Sequence, residues 1–157
     1  MNKPVIIAVA VVIAWAAAGA ARAAERITVG LEVHVDGTSA VGGFEDQLRA
    51  GVRRALEALG DVEIVTPGAP SQRMLRILAA SGSGIHSASV IVTERYDRET
   101  LMVLGIEDDD LAATMMALHI VNGHWIFTGT DVADVAKRIV AAVDSDVLAK
   151  SRARKRP

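Results

Sequence analysis

The sequence predicts an α/β (α+β) fold, a two-layer sandwich in which two amphipathic helices cover one face of a mixed sheet of about four to five strands. Two patterns lead to this prediction. Residues 27–36 alternate apolar and polar side chains, which is typical of a strand with one buried face. Residues 44–59 and 132–143 repeat apolar side chains every three or four positions, which is typical of helices with one buried face. The predicted order of elements is β-α-β-β-β-(β)-α.

The strands between the two helices follow from shorter patterns. Residues 62–66 are a short strand close behind the first helix, and this succession indicates a βαβ crossover with parallel strands. Residues 74–80 fit either a strand or a short helix, and we expect a strand because a hairpin-like loop and the strand-like residues 88–95 follow. Residues 111–121 are also ambiguous, since Ala and Met favour a helix. We expect an antiparallel strand there.

The amino-terminal residues 1–23 have the three parts of a secretory signal peptide. Lys3 supplies a positive charge, residues 5–21 form an uncharged apolar run, and small residues stand where cleavage after Ala23 requires them. The run is short and rich in alanine, which favours cleavage over a permanent anchor. The alternative is an uncleaved segment that anchors the protein in the inner membrane. The chain has no cysteine, which excludes lipid attachment, disulfides and thiolate chemistry.

Residues 24–149 are long enough for a single domain with its own core. They carry 10 basic and 19 acidic residues, a balance that argues against a nucleic-acid-binding surface. Residues 150–157 hold five basic side chains, and we expect a disordered tail there. Membrane contact is expected only through an uncleaved signal segment, or weakly through this tail. The sequence leaves the oligomeric state open.

Motifs for common cofactors are incomplete, and no cofactor is predicted. Gly37 and Gly42 have the spacing of a phosphate-binding loop, but Gly43 and Phe44 replace its lysine and hydroxyl residue. The acidic residues 107–110 lack the frame of a calcium-binding loop. We therefore expect a protein without enzymatic activity.

The leading hypothesis is an exported, periplasmic protein that binds another envelope protein. A sheet covered on one face leaves the other face free for a partner. Glu32, His34 and Asp36 alternate onto that face of the first strand, and they are the candidate contact residues.

Two other hypotheses use the histidines. His34, His119 and His124 are candidate ligands for a metal or a small molecule, if the fold brings them together. Ser83 and His86 are candidates for a hydrolase, although Ser83 lies outside any nucleophile motif.

Three segments carry a resemblance to a class of known proteins: the strand at residues 27–36, the helix at 44–59 and the closing helix at 132–143. Their order resembles the small α/β domains of bacterial envelope assembly factors, such as the amino-terminal domain of the translocation protein TolB and the lipoprotein activators of penicillin-binding proteins. Residues 139–152 also resemble the ends of uncharacterised exported bacterial proteins. The resemblance implies a fold and an envelope setting, but it transfers no functional residue.

Overall fold

A five-stranded mixed sheet forms the centre of the protein, with strand order β2-β1-β3-β4-β5. The computed structural model describes residues 26–36, 43–66 and 69–154. Strand β1 pairs in parallel with β2 and β3, whereas β3–β4 and β4–β5 are antiparallel. The strands are β1 (Ile27–Val35), β2 (Val62–Val65), β3 (Arg73–Gly82), β4 (Ile85–Glu94) and β5 (Ile120–Gly129). The predicted α/β class, the parallel β1–β2 pair and the strand over residues 74–80 are confirmed.

Helices α1 (Phe44–Glu57) and α4 (Val132–Val143) pack on one face of this sheet and against each other. Acidic residues occupy the first turn of α1, where the helix dipole favours negative charge. Asp131 caps α4 by accepting a hydrogen bond from the amide of Ala133 at 2.8 Å. At the crossing, a Cβ built on Gly51 would come within 2.9 Å of the Cβ of Ala136. The small size of Gly51 therefore allows the helices their close approach.

The core lies between the sheet and these helices. Its fully buried side chains come from the apolar stripes of both helices and from alternate positions of the strands. The buried apolar side chains of β1 are Ile27, Val29 and Val33, and all three belong to one set of alternate positions, which gives the period-two pattern visible in the sequence. The largest fully buried side chains in the core cluster are Leu48, Leu56, Leu75, Ile77, Ile139 and Leu148.

Two short helices, α2 (Arg98–Val103) and α3 (Asp109–Ala117), connect β4 to β5. The predicted strand over residues 111–121 is wrong, since most of this range is α3 and the strand begins at Ile120. The physical reason is capping. The side chain of Asp108 accepts a hydrogen bond from the amide of Leu111 at 2.7 Å, and two further carboxylates lie in the first turn.

The helical chain continues beyond α4 through a π-helical turn (Asp144–Leu148) and helix α5 (Ala149–Arg154). The disordered tail predicted from residue 150 is therefore wrong for residues 150–154. Arg152 donates from Nη2 to Asp61 Oδ1 at 2.9 Å and from Nη1 to Asp144 Oδ1 at 2.6 Å. This double ion pair ties the end of the chain to the residue before β2 and accounts for the order of α5.

The predicted signal peptide, its cleavage position after Ala23 and residues 155–157 lie outside the described residues. In the part of the chain that the structure describes, no helix combines the length and the apolar character needed to cross a membrane.

Candidate functional site

The face of the sheet opposite α1 and α4 is called here the open face, and strand register arranges its side chains in rows. The first row crosses four strands, because His34 pairs with Leu78, Leu78 with Ser89, and Ser89 with Ile126. Neighbouring members of a row are separated by one strand spacing, about 4.8 Å. The row therefore brings together residues that are far apart in sequence.

A second row of the open face runs parallel to the first. Glu32 pairs with Arg76, Arg76 with Ile91, and Ile91 with His124. Arg76 Nε lies 2.9 Å from Glu32 Oε2, so the charges of this pair offset each other within the face. The two rows are joined by a contact of 3.0 Å between Ser89 Oγ and His124 Nε2.

The open face is more apolar than the sequence predicts. Leu78, Val121 and Ile126 keep 57%, 60% and 70% of their surface exposed. The expectation of a polar face came from β1, whose outward side chains are mostly polar. Strands β3 and β5 carry apolar residues on both faces, so their outward leucine, valine and isoleucine are visible only once the register is known.

A shallow groove of about 510 Å³ lies at the end of the open face where β1 finishes. His34 and Asp36 lie on one side of it, Leu78 and Ser89 belong to its floor, and Ile126 lies on the far side. Its surface is mostly apolar, with hydroxyl, imidazole and carboxylate groups among the lining side chains. Such a surface can hold an apolar side chain and still offer hydrogen bonds to polar groups beside it.

The three predicted contact residues do not share one environment. His34 and Asp36 line the groove, and the amide of Asp36 donates to the carbonyl of Ala79 at 3.0 Å. Glu32 lies in the second row and is held by Arg76. Sequence reasoning missed Leu78 and Ile126, which complete the groove.

The structure does not bring the three candidate metal-binding histidines together. His34 and His124 lie in different rows, on β1 and β5, and these strands are three strand spacings or about 14 Å apart. His119 lies before β5 and contacts Thr93 Oγ1 at 3.1 Å through Nδ1. Among the described residues, no group of three His, Asp or Glu side chains is close enough to hold a metal ion.

His119 is nevertheless in a distinctive electrostatic position. Its Nε2 accepts a hydrogen bond from Arg95 Nε at 3.0 Å, which requires an unprotonated nitrogen there. Burial disfavours the imidazolium, and the charges of Arg95 and Arg76 act in the same direction. Together they lower the pKa of His119 below its usual value.

The two candidate hydrolase residues are also placed separately. Ser83 lies in the turn between β3 and β4 with a φ of 52°. His86 Nδ1 lies 2.9 Å from the hydroxyl of Ser81, the residue directly opposite it, and its ring stacks on Phe44. The hydroxyl within hydrogen-bond distance of His86 is thus that of Ser81, which is buried.

The remaining sequence motifs have local structural roles. Gly37 and Gly42 lie outside the described residues, and Gly43 takes a φ of 83° before α1. In the acidic run 107–110, Asp108 caps α3, Asp109 and Asp110 lie in its first turn, and Asp109 forms an ion pair with Arg98.

Comparison with known proteins gives structural likeness at low identity. No family model and no curated protein matches the sequence. The hypothetical protein CT253 from Chlamydia trachomatis is 11% identical, with 79% of this chain and 99% of that chain covered and a TM-score of 0.47. A PelC dodecamer from Paraburkholderia phytofirmans is 11% identical, with 79% and 89% covered and a TM-score of 0.44.

A third solved structure, protein XCC0632 of the DUF330 family from Xanthomonas campestris, is 11% identical over 83% of this chain and 89% of that chain, with a TM-score of 0.41. All three scores are below 0.5, so none of these proteins supplies a functional residue or an activity for this chain. The resemblance to TolB and to the activators of penicillin-binding proteins stays a prediction.

Proposed function

We propose that this chain is an exported bacterial envelope protein that binds another protein through the open face of its sheet and acts without catalysis. The observation that carries the proposal is the first row, in which Leu78 and Ile126 flank Ser89 beside His34. These two large apolar side chains lie on β3 and β5, on either side of β4, and they leave water when a partner covers them, which favours association.

The polar groups around the groove support a specific partner. His34, Asp36 and Ser89 lie within the same lining as the two apolar side chains. A partner that fills the groove with an apolar side chain and offers hydrogen-bonding groups at its border would satisfy both parts of the surface.

Photo-crosslinking in living bacteria tests this proposal. A photoreactive amino acid is placed at Ile126, and the full chain is expressed with its own amino-terminal segment. Illumination is expected to give a discrete crosslinked species with a second protein. The same amino acid at Lys137, which is exposed on α4 on the other side of the domain, is expected to give none.

A second substitution separates specific from accidental crosslinking. Leu78→Asp places a charge in the groove two strands away from position 126, and it is expected to abolish the crosslinked species. Leu78 is more than half exposed, so the folded protein is expected to keep nearly its full stability. An unchanged crosslink in this variant, or equal crosslinks from positions 126 and 137, would contradict the proposal.

The export part of the proposal rests on residues 1–23 and has its own test. Mass spectrometry of the protein recovered from the periplasm is expected to show Ala24 as the first residue. Recovery of the intact amino terminus in the membrane fraction would instead indicate the uncleaved anchor.

A further inference from the structure

A second exposed apolar surface lies on the α2–α3 connection, away from the groove. Residues 97–118 expose five large apolar side chains, each between 50% and 84% exposed. We call this set the hairpin patch. Its members are Met102, Val103, Leu104, Leu111 and Leu118.

The hairpin patch is held in place by contacts within the connection. Leu101 and Ala112 are buried, outside the main core cluster, and α2 packs against α3. Arg98 Nη2 also lies 2.6 Å from Asp109 Oδ1, which joins the two helices at their polar side. The exposed side chains are therefore presented by a folded unit. Soluble proteins normally expose large apolar side chains singly, so five of them on one short connection are typical of an interaction site.

The charge around the hairpin patch is strongly negative. Residues 97–118 contain six acidic side chains and one basic side chain, Arg98. Asp97 caps α2 by accepting a hydrogen bond from the amide of Thr100 at 2.7 Å, and this contact holds the pKa of the Asp97 carboxyl below its usual value. Its charge is therefore kept at neutral pH.

We infer that the hairpin patch binds a basic amphipathic segment of another protein. The apolar residues of that segment would lie on the patch, and its Lys or Arg residues would face the six acidic side chains of residues 97–118, which we call the acidic border. Charge complementarity selects this occupant. A second copy of the same patch would place acidic residues against acidic residues, and this like-charge repulsion disfavours self-association. An anionic lipid surface attracts basic segments and repels this one. Groove-bound amphipathic helices are a common form of such recognition.

Binding of a defined peptide tests the inference. The probe is a fluorescent synthetic peptide with leucine at helical spacing and lysine at the other positions, and its counterpart has glutamate in place of lysine. The lysine peptide is expected to bind the exported protein, and its affinity is expected to fall as the salt concentration is raised, because salt screens exposed charges. The glutamate peptide is expected to bind at least about tenfold more weakly. Equal binding of both peptides, or binding of neither, would overturn the inference.

Substitutions locate the site on the patch. The double variant Val103→Ser and Leu104→Ser is expected to lower the affinity for the lysine peptide about tenfold or more. Ile85→Ser removes a similarly exposed apolar side chain at the β3–β4 turn, outside the groove and the hairpin patch, and is expected to leave the affinity unchanged. All three side chains are exposed, so these variants are expected to fold. A loss of affinity in Ile126→Ser with none in the Val103 and Leu104 variant would place the peptide on the open face and overturn the inference.

A charge series tests the acidic border. Glu107→Gln with Asp110→Asn is expected to reduce both the affinity and its dependence on salt. Glu63→Gln changes an exposed carboxylate on β2, at the opposite edge of the sheet, and is expected to change neither. An equal effect of Glu63→Gln and of the Glu107 and Asp110 variant would show only a general attraction to an acidic protein, and it would rule out the acidic border as a specific binding site.

Two further measurements distinguish other occupants. Sedimentation is expected to show the same mass for the natural protein and for the Val103 and Leu104 variant. Self-association that this variant abolishes would identify a second copy as the occupant. Vesicles of zwitterionic and of anionic lipid are both expected to leave the protein in solution, and binding that the variant abolishes would identify a membrane instead.

Discussion

The double variant Gly51→Ala with Ala136→Gly, which exchanges the two residues between α1 and α4, tests how tightly these helices are packed. A Cβ on Gly51 would lie 2.9 Å from the Cβ of Ala136, closer than two such carbons are found in proteins. Gly51→Ala alone must therefore push the helices apart. Ala136→Gly alone removes a buried methyl group, since Ala136 is buried in the core. The double variant moves the methyl group from one helix to the other and keeps a single one at the crossing.

The expected magnitudes differ among the three variants. Gly51→Ala gains about 1 kcal/mol of helix propensity, but overpacking costs about 1–3 kcal/mol, so the net change is a loss of up to about 2 kcal/mol. Ala136→Gly loses about 1 kcal/mol of propensity and about 0.8 kcal/mol for the buried methyl group. In the double variant the two changes in helix propensity cancel, and the steric overlap between the Cβ atoms of residues 51 and 136 is absent. Its stability is expected to be close to that of the natural protein, so the favourable coupling equals the sum of the two single losses, about 2–4 kcal/mol.

Urea unfolding followed by circular dichroism measures these differences, with the free energy of unfolding obtained from the midpoint and slope. Additive effects of the two single changes in the double variant would show that the two methyl groups do not compete for the same space. Stabilisation by Gly51→Ala with the full propensity gain would show that the helices are not in close contact at residue 51.

Three other predictions concern the core, the carboxyl-terminal ion pairs and one histidine. Leu75→Ala, at a fully buried position of the central strand β3, is expected to lower the free energy of unfolding in urea by about 2–5 kcal/mol. Arg152→Ala is expected to destabilise the protein at neutral pH and progressively less in acid. The hydrogen bonds of Arg152 hold the pKa of Asp61 below the usual 3.8, so their contribution to stability is complete above that value and is lost as the pH falls through the lower pKa of the folded state. Thermal melts of the natural protein and the variant across this pH range measure the difference, and a difference that does not change with pH would contradict the prediction. In an NMR titration, His119 is expected to stay neutral to a lower pH than a free histidine, and Arg95→Gln is expected to raise its pKa by removing a nearby positive charge.

The elements that could be predicted from sequence are those with one buried face. Strand β1 and helices α1 and α4 each present a regular apolar stripe, because one side packs on the core and the other meets water. Helix α3 lacks such a stripe, and its only buried residue is Ala112. Its capping carboxylates are visible in the sequence, but an acidic run fits a solvated turn as well as the start of a helix, so it does not decide the element that follows.

The candidate site was less predictable, because it depends on register between strands that are distant in sequence. His34 was predicted from the alternation of β1 alone. Leu78 and Ile126 could not be assigned to the same face without the pairing of both with Ser89. The same limit explains why the predicted metal site does not form, since the positions of His34, His119 and His124 in the sequence do not show how far apart β1 and β5 lie in the sheet.

The contacts of α5 have a consequence for the order in which the protein can assemble. Ser151 accepts a hydrogen bond from Arg73 at 2.9 Å, and Arg152 reaches Asp61, so residues near the carboxyl end complete the surroundings of β2 and β3. These partners are 78 and 91 residues apart in sequence, so each contact closes a long loop and carries the entropic cost of that closure. We therefore expect them to form late in folding, after β2 and β3 have joined the sheet and brought Asp61 and Arg73 into position.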